Sequence, residues 1–283
     1  MQLFVEWAKS NGVSVWTVAE LDEYLCDYMV CLFDEGVGRA RAVDTIYGMV
    51  ALFPSWRSSL PAALVSIKGW TRLAPSVSHP PLTWDLTVLL ATVLVRVGAT
   101  DLACGVLLAF DCLLRLSELL NLSNDDVARP GDPRWTSTLS GVCLRLKQTK
   151  TGKQQWVQVR HVFVANWLLS ILAARLPKAR IFGFEASVAR GLFKSAVAEL
   201  GLPPAIVPHS LRHGGAKALH LAGMSMEDIL LRGRWSSVKS ARTYIQVGKA
   251  LLLDLRVSDH TLKSAGEQAA DLHATFARLG VNL

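Results

Sequence analysis

Three short stretches of the 283-residue sequence carry side chains that can hold an anion or move a proton. The first contains Arg115 and Glu118, which are three positions apart in an apolar helical pattern and therefore point the same way. The second contains His209 and Arg212. Arginine presents a planar fork of donors that matches two phosphate oxygens, and histidine exchanges a proton near neutral pH. Together, such residues would suit chemistry on a phosphate group.

The third stretch contains Trp235 and, nine positions later, Tyr244. Ser236 or Ser237 can cap a helix that carries Tyr244 on an apolar face. Each stretch alone has an ordinary structural explanation. A tyrosine on an apolar helical face usually packs in a core, and a half-buried arginine often pairs with a nearby carboxylate. A His-x-x-Arg pair arises by chance in about every second chain of this size and composition.

The composition narrows the class of protein. Hydrophobic residues make up 51% of the chain and charged residues 19%, which excludes intrinsic disorder and, with the length, predicts about two domains. The apolar stretch 161–174 is shorter than the ~20 residues of a membrane helix, and Glu6 and Lys9 interrupt any signal peptide. Five cysteines at no metal-ligand spacing predict buried, reduced thiols. We expect a soluble protein that is not secreted.

Charge is distributed unevenly along the chain, whose formal net charge is +7. Residues 1–80 carry 6 basic and 8 acidic side chains, whereas residues 145–242 carry 16 basic and 4 acidic ones. Such a cationic block favours a polyanion as partner, because neutralised phosphates release counterions. A solvated basic surface is the alternative that charge alone leaves open.

The elements that must position these residues are mostly helical. Residues 3–73 predict several short helices, with Ser14 and Thr17 as candidate N-terminal caps, and prolines within 75–81 predict a linker. Residues 82–122 are helical and so apolar that they should form the centre of the larger domain. Further helices are predicted at about 164–176, 187–200, 210–222, 225–231, 237–244 and 265–279.

One β-hairpin interrupts the helices. Apolar and cationic residues alternate over 142–147 and alternation resumes over 156–159, which predicts two strands joined by a basic tip at 148–153. The segment 124–135, rich in Asp, Pro and Gly, predicts a loop. The predicted fold class is therefore mainly α with a small β-hairpin or sheet.

In their order and context, these elements resemble the tyrosine recombinase (phage integrase) family. The motifs that carry the resemblance are Arg115 in LLRLSELL, the basic hairpin, His209 and Arg212 in PHSLRHG, Trp235 in GRWSS and Tyr244 in ARTYI. The segment from His209 to Gln246 is most similar to Cre-like members of the family. The similarity includes Trp235, at a position where many members have a second His. The resemblance covers about 82–250 well and 3–73 in outline.

The resemblance implies a domain organisation. Residues 1–74 would form a helical core-binding (SAM-like) DNA-binding domain, 75–81 a linker, and 82–283 the tyrosine recombinase catalytic domain with a C-terminal docking helix. The two domains would clamp duplex DNA. The first domain is short and net acidic, which departs from that picture.

The resemblance also implies roles for the motif residues. Tyr244 would attack the scissile phosphate and store the strand as a 3′-phosphotyrosine, so that no cofactor, nucleotide or metal ion is needed. Arg115 and Arg212 would clamp the transition state. His209 would hydrogen-bond the phosphate and help to take the tyrosine proton, and Trp235 would donate its indole N–H.

A lysine on the hairpin would protonate the leaving 5′ oxygen. Lys150 fits the family pattern best, and Lys147 and Lys153 are alternatives. Glu118 would orient its neighbours without reacting. His213 recurs beside the second arginine in many members, and simple packing explains it equally well.

The expected partners are double-stranded DNA and further copies of the chain. The stripe of Ala269, Leu272, Phe276 and Leu279 fits a C-terminal helix that docks cyclically on a neighbour in a tetramer, or one that folds onto its own domain. Competing functions are a type IB topoisomerase, a catalytically inactive, domesticated DNA-binding protein and a helical scaffold. The compartment would be the nucleus in a eukaryotic host and the cytoplasm or nucleoid in a bacterial or phage one.

Overall fold

The structure, a computed structural model, describes residues 1–74, 79–132, 141–149, 152–238, 241–242, 245, 256–281 and 283. The side chains of residues 148, 149 and 153 are outside this description. The chain divides into two units, Met1–Val77 and Ser78–Leu283, and this division falls inside the predicted linker. That the first unit binds DNA stays a prediction.

The first unit is helical. Its elements are α1 (Gln2–Ser10), α2 (Val18–Asp34), α3 (Ala40–Leu52), a 3-10 turn (Pro54–Ser58) and α4 (Pro61–Leu73). Thr17 caps α2 as predicted: its hydroxyl accepts from the Glu20 N–H at 3.2 Å, and the Glu20 carboxylate accepts from the Thr17 N–H at 2.9 Å. Ser14 lies outside the helices.

A buried carboxylate joins two of these helices. Asp22 on α2 is 6% exposed and accepts from the N–H groups of Ala62 and Ala63 at 2.9 and 2.8 Å. These donors have no partner within a helix because they lie in its first turn. Asp22 thereby fixes the start of α4 against α2, around a core that includes Leu25 and Ile46.

The second unit is built on two apolar helices. Its helices are α5 (Trp84–Arg96), α6 (Thr100–Asp111), α7 (Leu116–Leu120), α8 (Val162–Ala173), α9 (Ala186–Glu199), α10 (His209–Leu221), α11 (Met226–Gly233), α12 (Asp259–Ala270) and α13 (Leu272–Ala277). Residues 86–95 and 102–110 are buried throughout, so α5 and α6 form the centre of this unit, as predicted. Cys104, Cys112 and Cys143 are buried in it. Among the described residues, no helix combines the length and apolarity needed to span a bilayer.

The hairpin belongs to a three-stranded antiparallel sheet in the order β1 (Val127–Ala128), β2 (Val142–Thr149), β3 (Gly152–Val159). Leu144 pairs with Val157 in register, and both face the core. The strands extend further toward the tip than alternation indicated. The loop prediction for 124–135 is wrong at 124–128, where a 3-10 turn (Asn124–Asp126) and β1 form. Strand β1 forms because the edge of β2 offers it backbone partners.

Two glycines bring α10 close to the centre of the second unit. A Cβ on Gly214 would lie 1.9 Å from the Leu82 carbonyl oxygen, and one on Gly215 would lie 2.1 Å from the Phe110 carbonyl oxygen. Only glycine permits this approach, which is closer than any real Cβ contact. His209 and Arg212, which precede these glycines on α10, are therefore held near the end of α6.

The C-terminal stripe is buried in its own unit. Leu272 and Phe276 belong to the main core, where the Phe276 ring lies 5.5 Å from that of Phe163 and 4.8 Å from that of Trp167. The single helix predicted at 265–279 is instead two, because Asp271 caps α13 by accepting from the Ala274 N–H at 2.9 Å. For the single chain, the structure shows the alternative in which the helix folds onto its own domain, and the tetramer stays a prediction.

We expect Gly215→Ala to destabilise the second unit by about 2–3 kcal/mol, because the added methyl group forces α10 away from α6. Gly191→Ala is the matched control. Gly191 lies within α9 with nothing within 4 Å of its Cβ position, so alanine should add about 0.5–1 kcal/mol of stability. Urea unfolding of both variants measures these changes, and equal effects would show that α10 has room to move.

Candidate active site

A sharp turn places Arg115. Helix α6 ends at Asp111, Leu113 adopts a positive φ of 52°, and Arg115 is the N-cap of α7. Arg115 and Glu118 therefore do not lie on one continuous helix, yet they meet. The Arg115 N–H donates to Glu118 Oε2 at 2.9 Å, and Arg115 Nη1 donates to Oε1 at 2.5 Å. The side chain of Arg115 is 21% exposed, so it can still reach a ligand.

Arg212 lies behind Arg115 and has no exposed surface. Its Nη1 donates to the Leu113 carbonyl oxygen at 2.6 Å, and its Nη2 donates to the Gly233 carbonyl oxygen. Nη1 also lies 3.7 Å from Glu118 Oε2. One guanidinium thus joins α10 to the turn before Arg115 and to the end of α11, which explains how a buried cation is tolerated.

Trp235 covers this guanidinium. The centre of its ring lies 4.7 Å from the Arg212 Cζ atom, within cation–π range. It packs against a small apolar cluster that includes Leu113, Ile229 and Ile245. Ile245 follows Tyr244 in the chain, and Tyr244 itself lies outside the described residues.

His209 is uncharged at neutral pH. Its ring lies 5.2 Å from that of His213 and 6.2 Å from that of His79. Burial lowers the pKa of His209 from its ordinary 6.5 to about 4, and the positive charges of Arg212 and Arg115 act in the same direction. The neutral imidazole is the form that can accept a proton. His213 is buried on the same helix.

One buried carboxylate joins the cationic side chains of the site. Glu118, 6% exposed, pairs with Arg115 and also with Arg234, whose Nη2 lies 3.0 Å from Oε2. Burial alone would raise the pKa of Glu118, but Arg234, the Arg115 N–H and the other arginines hold it below its ordinary value. Sequence reasoning missed Arg234. Its only local signal is its place between Gly233 and Trp235 of the third motif.

The hairpin lysines differ in their surroundings. Lys147 Nζ lies 2.9 Å from Asp126 Oδ2 and 3.0 Å from Ser123 Oγ, and Asp126 is 1% exposed and also pairs with Arg145. Lys147 is thus engaged with this buried carboxylate. Lys150, like the side chain of Lys153, lies outside the described residues.

A cationic groove opens beside Arg115 and His209. It has a volume of about 450 Å³, and its polar lining includes Ser117, Arg190 and Lys194. Leu116, Phe193 and the proline-rich segment 204–208 supply its apolar wall. Within the described part of the chain, no three His, Cys, Asp or Glu side chains converge as ligands of a metal ion would.

Comparison with known proteins decides the family. The model described as "Phage integrase family" matches residues 86–250, more than half of the chain. The chain belongs to the phage integrase family. The matched range includes Arg115, Glu118, His209, Arg212 and Trp235, the motif residues that the structure brings together.

Two solved structures of the Tn1549 transposon integrase share the fold of this integrase-family chain. The Tn1549 transposon integrase in complex with transposon right end DNA matches with a TM-score of 0.58 at 12% identity, over 95% of this chain and 92% of that one. The same integrase with circular intermediate DNA gives 0.54 at 14% identity, over 90% and 98%. XerA recombinase gives 0.45 at 15% identity, over 94% and 96%. No curated protein sequence matches significantly.

The predicted family and the predicted fold class, mainly α with a small sheet, are thus confirmed. The similarity to Cre-like members in particular stays a prediction. So do the catalytic roles of the individual residues, which no comparison tests.

We expect the depressed pKa of His209 to appear in the pH dependence of stability. Between pH 6.5 and about 4 the unfolded chain binds a proton that His209 excludes in the folded state, so the free energy of unfolding falls as the pH falls through this window. The slope from this residue is at most about 1.4 kcal/mol per pH unit. Urea unfolding should show a shallower slope for His209→Gln. His220→Gln, at an exposed position of the same helix, is the matched control for the exchange of a histidine for a glutamine.

Proposed function

We propose that this integrase-family chain is a site-specific DNA recombinase that cuts and rejoins strands through a 3′-phosphotyrosine intermediate. The observation that supports this most is the convergence of Arg115, Glu118, His209, Arg212 and Trp235 at one site from three separate segments of chain. Chance explains each motif alone, but it does not explain why all of them meet.

The cationic cluster suits the charge of a phosphodiester in reaction. Three guanidinium groups share the single carboxylate of Glu118, which leaves a net charge of about +2 beside the groove. The transition state of phosphoryl transfer carries more negative charge than the substrate. Arg115 is the partly exposed member that would bind a phosphate oxygen, and Arg212 would act from behind it with Trp235.

The reaction would then proceed without a cofactor. The phenolic oxygen of Tyr244 forms a bond to phosphorus while the bond from phosphorus to the 5′ oxygen breaks. The phenolic proton passes to the neutral imidazole of His209, and Lys150 gives a proton to the leaving 5′ oxygen. The phosphotyrosine conserves the energy of the phosphodiester, so attack by a second 5′ hydroxyl rejoins the strand.

Double-stranded DNA is the substrate that the surface favours. The side chains of Arg190 and Lys194 add two positive charges to the groove beside Arg115. Arg160, Lys178 and Arg180 are also exposed. In addition, the Tn1549 integrase structures with the same fold contain transposon DNA. Counterion release by these cations would make binding strongly dependent on salt.

Covalent capture tests the proposal whatever the sequence of the target site. The full chain is incubated with a pool of duplexes that carry a nick within randomised sequence, so that the short 5′-hydroxyl fragment diffuses away after cleavage. We expect an adduct that resists detergent, and sequencing of the adducts recovers the preferred site. Tyr244→Phe should abolish the adduct because it removes only the nucleophilic oxygen.

Tyr47→Phe is the matched control, because Tyr47 is a half-exposed tyrosine of the first unit and should be dispensable. Salt-dependent binding of the pool without any adduct would contradict catalysis and favour a DNA-binding protein. Rapid relaxation of supercoiled plasmid without strand exchange would favour a topoisomerase.

The lysine that protonates the leaving group can be identified with a sulfur substitution. A duplex with sulfur in place of the bridging 5′ oxygen has a leaving group that needs no proton. Lys150→Ala should slow adduct formation with the oxygen substrate about 100-fold and recover with sulfur. Lys147→Ala, which removes the ion pair with Asp126, should show no such recovery. Recovery of Lys147→Ala instead would reassign the acid to Lys147.

A further inference from the structure

Arg234 adds its charge to the cluster around Glu118 but has no direct contact with DNA in the reaction proposed above. Arg234 lies at the C-terminus of α11 in a left-handed conformation, with φ 55°. Its side chain is 2% exposed, so it does not reach a DNA phosphate in the groove. A non-glycine residue in this conformation and a buried cation are both unfavourable unless the surroundings compensate. Its partners therefore indicate what it does.

The hydrogen-bond partners of Arg234 include two residues that precede Arg115 in the chain and Glu118, which follows it. Arg234 Nη2 donates to Glu118 Oε2 at 3.0 Å and to the Leu113 carbonyl oxygen at 2.7 Å. Nη1 donates to the carbonyl oxygens of Cys112 at 3.3 Å and Arg232 at 2.8 Å. The side chain therefore connects the turn that precedes Arg115 to the carboxylate that holds the Arg115 guanidinium.

We propose that Arg234 is a positioning residue: it fixes the turn at Cys112 and Leu113 together with the Glu118 carboxylate, and through them it holds Arg115 at the phosphate. Its effect on DNA cleavage depends on the proposed function. Its effect on Glu118 does not, because that contact exists in the chain alone. Lysine cannot replace it, since a single ammonium group lacks the planar fork that reaches four acceptors in three segments of the chain.

The position of Arg234 predicts a pH effect. The charged groups that face Glu118 are Arg115 beside it, Arg212 from α10, Arg234 from the end of α11 and, more weakly, the titratable His209. Burial raises the pKa of Glu118, and the positive charge of Arg234 is one of the effects that lower it. Without that charge the pKa of Glu118 is higher, so the carboxylate takes up a proton at a higher pH than in the wild type. A protonated Glu118 holds Arg115 less firmly, so the variant should lose activity further on the acid side.

Arg232 provides a matched control from the same segment. Its Nε and Nη2 donate to the Asp111 carbonyl oxygen at 3.2 and 2.8 Å, so it also anchors the end of α6, but it makes no contact with Glu118. The rate of adduct formation is measured in single turnover on the duplex recovered from the pool. We expect Arg234→Gln, which removes the charge, to be slowed about tenfold or more, with the additional acid-side loss, and Arg232→Gln to stay within about threefold of the wild type. Equal slowing of the two, with unchanged pH profiles, would overturn the proposal.

A double-mutant cycle gives a readout that needs no activity. The unfolding constants of the wild type, Arg234→Lys, Glu118→Gln and the double variant are measured in urea. Coupling of about tenfold supports the proposal, and additivity within about twofold overturns it whether or not the chain cuts DNA. A coupled cycle in a wild type that forms no adduct with any duplex would overturn the proposed function alone.

Discussion

The second unit depends on the solvation of buried guanidinium groups by backbone carbonyl oxygens. Arg212 and Arg234 both donate to the Leu113 carbonyl oxygen, and both approach the same carboxylate of Glu118. Two cations with almost no access to water are unfavourable unless all of their surroundings are polar and fixed. This requirement explains why a turn with a positive φ at Leu113 persists, since it directs its carbonyl oxygen to both arginines.

The close packing of α10 in the second unit determines which side chains of the candidate site are exposed to a substrate. Gly214 and Gly215 bring α10 so close to Leu82 and Phe110 that Arg212 is fully enclosed. Arg115 stays partly exposed at the groove because it lies on the outer side of the shared carboxylate. The same enclosure removes water from His209 and keeps it neutral. A single arrangement thus supplies a cation and a base side by side, each in the protonation state that the proposed strand cleavage would require.

The sequence predicted the larger elements and named five residues that the structure brings together, namely Arg115, Glu118, His209, Arg212 and Trp235. Apolar periodicity located the helices, and alternation located the hairpin, because both patterns are local. Arg234 was missed because its partner Glu118 is 116 positions away, and no local pattern reports that contact. Strand β1 was missed because two residues form a strand only where a neighbouring edge pairs with them. The break before α13 could have been predicted, since Asp271 is a typical capping residue.

The burial of the last helix in its own unit has a practical consequence. Phe276 closes the aromatic core over Phe163 and Trp167, so the final helices are part of the folding unit rather than an appendage. A shortened chain that ends before Leu272 would leave those rings in water, where they would favour aggregation. Affinity tags and fluorescent fusions should therefore be attached after α13. A variant meant to prevent the predicted self-association should carry substitutions at exposed residues of α12 and keep the full chain.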